Sequence, residues 1–310
     1  MNSSFKIKIL LILLIGWQCY VSNAQVNKLL EAFECYKNKD LTCAKSKIDS
    51  VIIHPETKDE PGAWTIRASV YYQYYRNYEL RLFNSPYRNE AIKSIEKSRS
   101  LSPDAEMETQ NKQVMLAIAQ SYYNQIKYYL YDSLNYEICL QLYNNYKKYY
   151  QEIYPGTDFK EKDIEFYLSV GGEFVTRAKK ELESSKSEVL PDVFNKYIDI
   201  AKITFSKVLD LDPNNISALK GLAFAYYNLG AKLIKDMSYD ISIEETFQIQ
   251  ENAAKYFKQA LPYMQKAFEL NKDDEKVIEG LTGIYEALHD HDKYIEFKKK
   301  LDQIKKDQQK

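Results

Sequence analysis

The stretch Leu209–Gly230, LDLDPNNISALKGLAFAYYNLG, puts a leucine, an acid and a proline ahead of small and aromatic residues spaced as on one face of a helix. It reads as a helix end, a turn and the start of a second helix. The phrase is not unique: SLSPDAE at 100–106 and FELNKDD at 268–274 each follow a helical stretch with small residues along one side. Ala201, Phe205 and Leu211 correspond to Ala260, Met264 and Leu270, and to Ala91, Ile95 and Leu101. Beyond the turn, Leu219, Leu222, Ala223, Tyr226 and Leu229-Gly230 correspond to Ile278, Leu281, Tyr285 and Leu288, and more loosely to Trp64, Ala68 and Tyr71.

These residues resemble the tetratricopeptide repeat, a helix-turn-helix unit of about 34 residues that carries W-x2-L-G-x2-Y, then Ala, an aromatic and Pro. The repeats are clearest over 191–230 and 251–307 and weaker over 26–55 and 61–103, while 106–195 rests on helical periodicity. The resemblance implies an all-α solenoid. The physical reason stands beside the family name: small residues let helices approach closely, and larger ones fill the spaces between neighbouring hairpins. One such hairpin cannot bury its own apolar face and must stack on the next. We read about six hairpins, over 26–55, 62–103, 106–152, 161–212, 216–271 and 275–307, in a single domain spanning 25–310. Pro55, Pro103, Pro155 and Pro213 mark helix stops.

Leu211 and Leu270 hold equivalent places yet lie 59 residues apart, far more than one repeat. The surplus falls between Gly230 and Ala260 and still reads largely as helix. Split evenly, it adds roughly three turns to each helix of that hairpin. The hairpins of 106–152 and 161–212 are lengthened too, so the central extensions either pack into a secondary bundle or form mobile loops with tips at 181–189 and 237–242.

At the N-terminus, Lys6 and Lys8 precede an apolar run from Ile9 to Ile15, and Ser22-Asn23-Ala24 supplies small residues before Gln25. This pattern predicts a secretory signal at 1–24, cleaved after Ala24, because the run is too short to span a bilayer. With 43 basic and 44 acidic residues, the chain gives no overall electrostatic reason to expect nucleic acid or membrane insertion. Export to the periplasm or beyond places Cys35, Cys43 and Cys139 in an oxidising compartment. Cys35 and Cys43 flank a turn between two antiparallel helices, so a disulfide between them is expected. Cys139 lies on a stripe with Tyr136 and Tyr143 and is expected as a buried small apolar residue.

Among 28 tyrosines, clusters stand at 71–78, 121–131 and 143–150. Tyrosine suits both core packing and a binding face. Tyr72, Tyr75, Tyr123 and Tyr129 are candidates for such a face from spacing alone. Catalytic groupings are missing: His54, His289 and His291 are scattered on turns, and Gly221 stands where a calcium loop beginning at Asp210 needs its glutamate. No phosphate-binding glycine loop or nucleophile motif is present. No enzyme activity, cofactor or metal is therefore expected.

The resemblance implies a protein- or peptide-binding scaffold whose concave surface is lined by the first helix of each hairpin. Arg67, Asn124, Lys220 and Asn228 are its candidate polar contacts, with the tyrosines above. The alternative is a component of an envelope assembly, secretion or nutrient-uptake complex that docks through its elongated central hairpins.

Overall fold

The computed structural model describes residues 27–184, 192–237 and 240–307, and every regular element among them is helical. The expected signal at 1–24 lies outside these residues, as do 185–191 and 238–239 within the two expected tips. The helices are α1 (27–37), α2 (Leu41–Val51), α3 (Pro61–Tyr78), α4 (Pro86–Ser100), α5 (Ala105–Tyr131), α6 (Tyr136–Ile153), α7 (Lys160–Ser184), α8 (Asp192–Leu211), α9 (Ile216–Lys235), α10 (Ile243–Leu270), α11 (Glu275–Ala287) and α12 (His291–Asp307). They pair as six hairpins. The described chain divides at Thr157/Asp158 into two compact units, each holding three hairpins.

The recurring phrase works by ending one helix and capping the next. After Leu211, Pro213 stops α8, and the Asn215 side chain accepts from the Ala218 amide at the start of α9. Asp104 does the same for Met107 in α5, and Asp274 for Val277 in α11. Each cap satisfies one of the donors that a helix start leaves unpaired, and losing it costs about 1 kcal/mol. Pro61 and Pro86 occupy first-turn positions, where a missing N–H is harmless.

In unit 1, α3 packs on its partner α4, on the preceding α2 and on the following α5. In unit 2, α9 packs likewise on α10, α8 and both α7 and α11. This is the stacking expected of repeat hairpins, each touching chiefly its neighbours. Its register shows at one contact. A Cβ built on Gly221 would come within 2.3 Å of the Phe205 ring, and one on Gly280 within 2.5 Å of the Met264 methyl. Gly280 and Met264 each lie 59 residues beyond Gly221 and Phe205, so the same knob meets the same gap in consecutive hairpins.

The surplus length is helical, as the sequence suggests, but is not shared evenly: α10 has 28 residues and α9 has 20. Ser242 and Glu245 form a capping box that starts α10 early. Pro262 lies inside that helix without ending it, unlike the four prolines between helices. Within unit 2 the extensions meet, since Lys235 near the end of α9 donates to the Leu182 carbonyl of α7 and Lys232 lies over the Phe194 ring of α8 at 5.9 Å. A Cβ on Gly230 would sit 2.7 Å from Phe257, so α9 and α10 also approach closely here.

Cys35 and Cys43 are joined, with their Cα atoms 5.8 Å apart, between the end of α1 and the first turn of α2. Cys139 is fully buried, and burial pushes its thiol pKa up to about 12. The chain from Gln25 onward should therefore give no reactive thiol to Ellman's reagent when native and one, Cys139, when denatured without reductant. Three thiols in the denatured sample would show that the bridge does not form.

Candidate functional site

Small residues and half-buried aromatics give unit 2 a groove along its first helices. Its volume is about 650 Å3, with walls from α7, α9 and α11. Phe224, Tyr227 and Asn228 enter from α9, Val175, Thr176 and Lys179 from α7, and Lys276, Glu279, Gly280 and Gly283 from α11. Residues 220, 224, 227 and 228 share one stripe of α9 by the spacing of a helix. Gly283 has no side chain to fill the space beneath the Tyr227 hydroxyl, which lies 3.4 Å from where its Cβ would be. Tyr227 packs on Phe257 at 5.2 Å, and burial raises its phenol pKa, with Glu286 adding to the shift.

Asn228 is the distinctive polar group. Its side chain lines the groove, the residue is only 8% exposed, and its amide makes no hydrogen bond among the described residues. Its polar atoms are not sealed from solvent, so water occupies them until another donor and acceptor arrive. The rim carries Lys179, Lys276 and Glu279; Lys179 lies 3.7 Å from the Glu183 carboxylate, while Lys276 has no carboxylate partner among the described residues. The arrangement can offer paired donor and acceptor atoms to an extended backbone, with aromatic faces beside it.

The other sequence candidates have different fates. Lys220 shares the α9 stripe but is committed to Asp274, Nζ to Oδ2 at 2.6 Å, tying α9 to the cap of α11. Arg67 was expected on an exposed face and is instead buried. It donates to Asp49 at 3.3 Å, Glu90 at 3.0 Å and Ser94 at 2.7 Å, and stacks over Tyr71 at 4.0 Å. Tyr75 is fully buried in the unit 1 core. Tyr72 is half-buried and donates to the Ala117 carbonyl at 3.2 Å, and Tyr129 donates to the Arg81 carbonyl at 2.9 Å. Tyr123 is half-buried between Tyr143 and Tyr146, its ring centroid 6.4 and 5.0 Å from theirs. Asn124 is exposed. Packing thus claims most of the clustered tyrosines of unit 1, with Tyr78 and Tyr131 left exposed.

Sequence reasoning missed the α11 wall. The signal was available: carrying Lys220, Gly221 and Phe224 forward by the 59-residue register gives Glu279, Gly280 and Gly283.

The Lys220–Asp274 pair has a pH signature. Burial alone would raise the Asp274 pKa, but the Lys220 ammonium and the amides of Val277 and Lys276 outweigh it and hold it below the ordinary 3.8. A carboxylate whose folded pKa is depressed stabilises the fold fully above its unfolded value and loses that contribution as pH falls through the folded one. Asp274→Asn, which keeps the cap, should cost unit 2 about 1 kcal/mol at pH 7. The gap from wild type should close below about pH 3.8 in a urea titration series. A gap unchanged by acid would show that the charge is immaterial.

No protein-family model and no curated protein matches the chain. Solved structures similar to it include PilW, a widely conserved type IV pilus biogenesis factor, at 16% identity, covering 91% of this chain and 92% of that one with a TM-score of 0.33. The TPR domain of P58(IPK) is similar at 18% identity, covering 89% and 68%, with a TM-score of 0.28. A human IFIT1 dimer with PPP-AAAA is similar at 13% identity, covering 90% and 72%, with a TM-score of 0.23. Within each unit the chain's own hairpins, capped and stacked in register, form an all-α array of tetratricopeptide-like helical hairpins.

Proposed function

We propose that this chain is a non-catalytic scaffold, exported to the cell envelope, whose unit 2 groove holds an extended segment of another protein. The observation that carries the reading is the place of Asn228: its side-chain amide makes no hydrogen bond to the described residues and opens into the groove, so both its donor and its acceptor are free for an incoming peptide backbone. Phe224 and Tyr227 supply apolar area beside it, and Lys276, unpaired among the described residues, favours an acidic residue in the segment. The Cys35–Cys43 bridge suits an oxidising compartment, and no helix among the described residues is long and apolar enough to cross a membrane.

A second reading, docking of an envelope assembly, secretion or uptake complex through the elongated hairpins, is favoured by Ile243 and Phe247. They stand one turn apart at the start of α10, 75% and 66% exposed. The two readings separate by crosslinking. A photoreactive p-benzoylphenylalanine in place of Thr176 should capture a defined segment in cells, and a synthetic peptide of that segment should bind the purified chain. Asn228→Ala should then weaken binding at least tenfold, the loss of about 1.4 kcal/mol, while Ile243→Ser with Phe247→Ser leaves it unchanged. Equal affinity of wild type and Asn228→Ala would overturn the groove; loss with the α10 pair alone would favour the hairpin extension.

A further inference from the structure

The turn between α3 and α4 is built against the usual logic of a loop. Its four consecutive carbonyls, residues 80 to 83, are all drawn inward by side chains. Gln125 Nε2 donates to Leu80 O at 2.8 Å and to Leu82 O at 3.2 Å, Tyr129 to Arg81 O at 2.9 Å, and the buried Arg88 to Phe83 O at 2.6 Å. Phe83 anchors the turn further with its ring 6.2 Å from Tyr129. Pinning the backbone inward leaves the apolar side chains outside: Leu80 is 46% exposed, Leu82 49% and Tyr78 70%. A turn held so firmly only for stability would bury its leucines, since each is worth about 1.5–3 kcal/mol when fully covered.

Cations outnumber acids around these side chains. Arg76, Arg81 and Lys127 are exposed, and Arg81 and Lys127 both lie against the Tyr128 ring, at 4.7 and 5.1 Å. The acid within the turn, Glu79, is folded back, accepting from Ser85 Oγ at 2.6 Å and from the Tyr87 amide at 3.1 Å. Asp132, beyond Tyr131, is the opposing exposed carboxylate on α5's end. Leucines at the apex of a rigid turn, tyrosines beside them and cations around the rim match the layering of a bilayer interface, apolar below, amphipathic aromatic at headgroup depth, basic towards lipid phosphate.

We propose that the 78–85 turn of unit 1 is a peripheral membrane anchor that sets Leu80 and Leu82 into the interface of an anionic bilayer. The near-neutral net charge of the chain does not oppose this, because screening within about 8–10 Å makes the local rim decide. The contact is shallow and reversible, with no described helix crossing the bilayer. The anchor is independent of the unit 2 groove.

The test is sedimentation of the chain from Gln25 onward with vesicles of phosphatidylglycerol and phosphatidylcholine, against vesicles of phosphatidylcholine alone. Binding is expected to the first, to weaken as salt rises, and to fall about tenfold or more for Leu80→Ser with Leu82→Ser, whose positions are exposed enough to leave the fold intact by circular dichroism. Arg81→Glu should lower it too, and Asn228→Ala should not. Leu82→Trp should add fluorescence, over that of Trp64, that brominated lipid quenches. Absence of sedimentation with anionic vesicles, or equal binding by the double serine variant, would overturn the proposal. So would added indole fluorescence in the Leu82→Trp variant that brominated lipid leaves unquenched. Loss of a protein partner by the serine variant, with no vesicle binding by wild type, would reassign the turn to a protein interface.

Discussion

Replacing Arg88 by alanine is expected to destabilise unit 1 by about 3 kcal/mol, while Arg88→Met costs about 1 kcal/mol. Arg88 is fully buried and has no carboxylate partner among the described residues, an arrangement that ordinarily carries a heavy desolvation cost. The cost is offset by carbonyls and ring faces. Nη1 donates to Gln125 Oε1 at 2.8 Å and Nη2 to Phe83 O, and the guanidinium lies 3.6 Å from the Tyr122 centroid and 5.0 Å from that of Tyr75. Its Nε is left without a partner. Alanine removes the bonds and leaves a cavity the length of the side chain. Methionine leaves the same acceptors orphaned but fills most of the space and removes the desolvated charge, so the two variants separate volume from polarity.

Because the described chain divides into two units, a single unfolding midpoint would average over both. Hydrogen exchange of amides in α4 and α5 is the better measurement, with unit 2 amides as the internal reference. Unit 2 protection should not change. A loss under about 1 kcal/mol for alanine would show that the guanidinium's bonds only balance the desolvation they require.

The same residue shows where sequence reading stops. Hairpin number, approximate bounds and the Cys35–Cys43 bridge were legible because each follows from local signals: periodicity, a proline stop, an Asx cap one turn before an apolar run. Asn215, Asp104 and Asp274 announce α9, α5 and α11 in this way. Arg88 and Arg67 were not legible as buried groups, since an arginine in a charged helix reads as surface and its partners lie on other helices. Arg67 meets Asp49 from the preceding hairpin, and Arg88 meets Gln125 from the following one. Pro262 is a stop by residue type only: it lies inside a helix long enough to absorb one lost hydrogen bond. Of the groove, Asn228 was picked from its place on a first helix, while its α7 neighbours lie where the repeat is faint. The exposed Tyr78, Tyr131 and Tyr154 could not be told from the buried tyrosines beside them, because adjacent positions on one helix differ only in what the next helix covers.

Phe205→Ala is expected to cost unit 2 about 3–5 kcal/mol, the range for emptying a buried phenylalanine site. The ring, 3% exposed, is a wedge between two helices. A Cβ on Gly171 of α7 would approach it to 2.8 Å and one on Gly221 of α9 to 2.3 Å, so both backbones have closed onto its faces and edge. The site cannot collapse further without moving a helix. Gly221→Ala should therefore also destabilise, by about 1–3 kcal/mol, even though alanine is intrinsically the better helix former by about 1 kcal/mol. The equivalent substitution one hairpin on, Gly280→Ala, meets the methyl end of Met264 and should cost less, because a thioether chain can swing aside where a wedged ring cannot. Combining Phe205→Leu with Gly221→Ala tests the wedge directly: the smaller side chain makes room for the new methyl, so the double variant should be more stable than the sum of the single losses predicts, by at least about 1 kcal/mol. Strict additivity in the cycle, measured by urea denaturation with hydrogen exchange in α8 and α9, would mean that ring and glycine do not share one gap. The stacking of these hairpins would then owe its register to something other than the knob that Phe205 and, 59 residues on, Met264 supply.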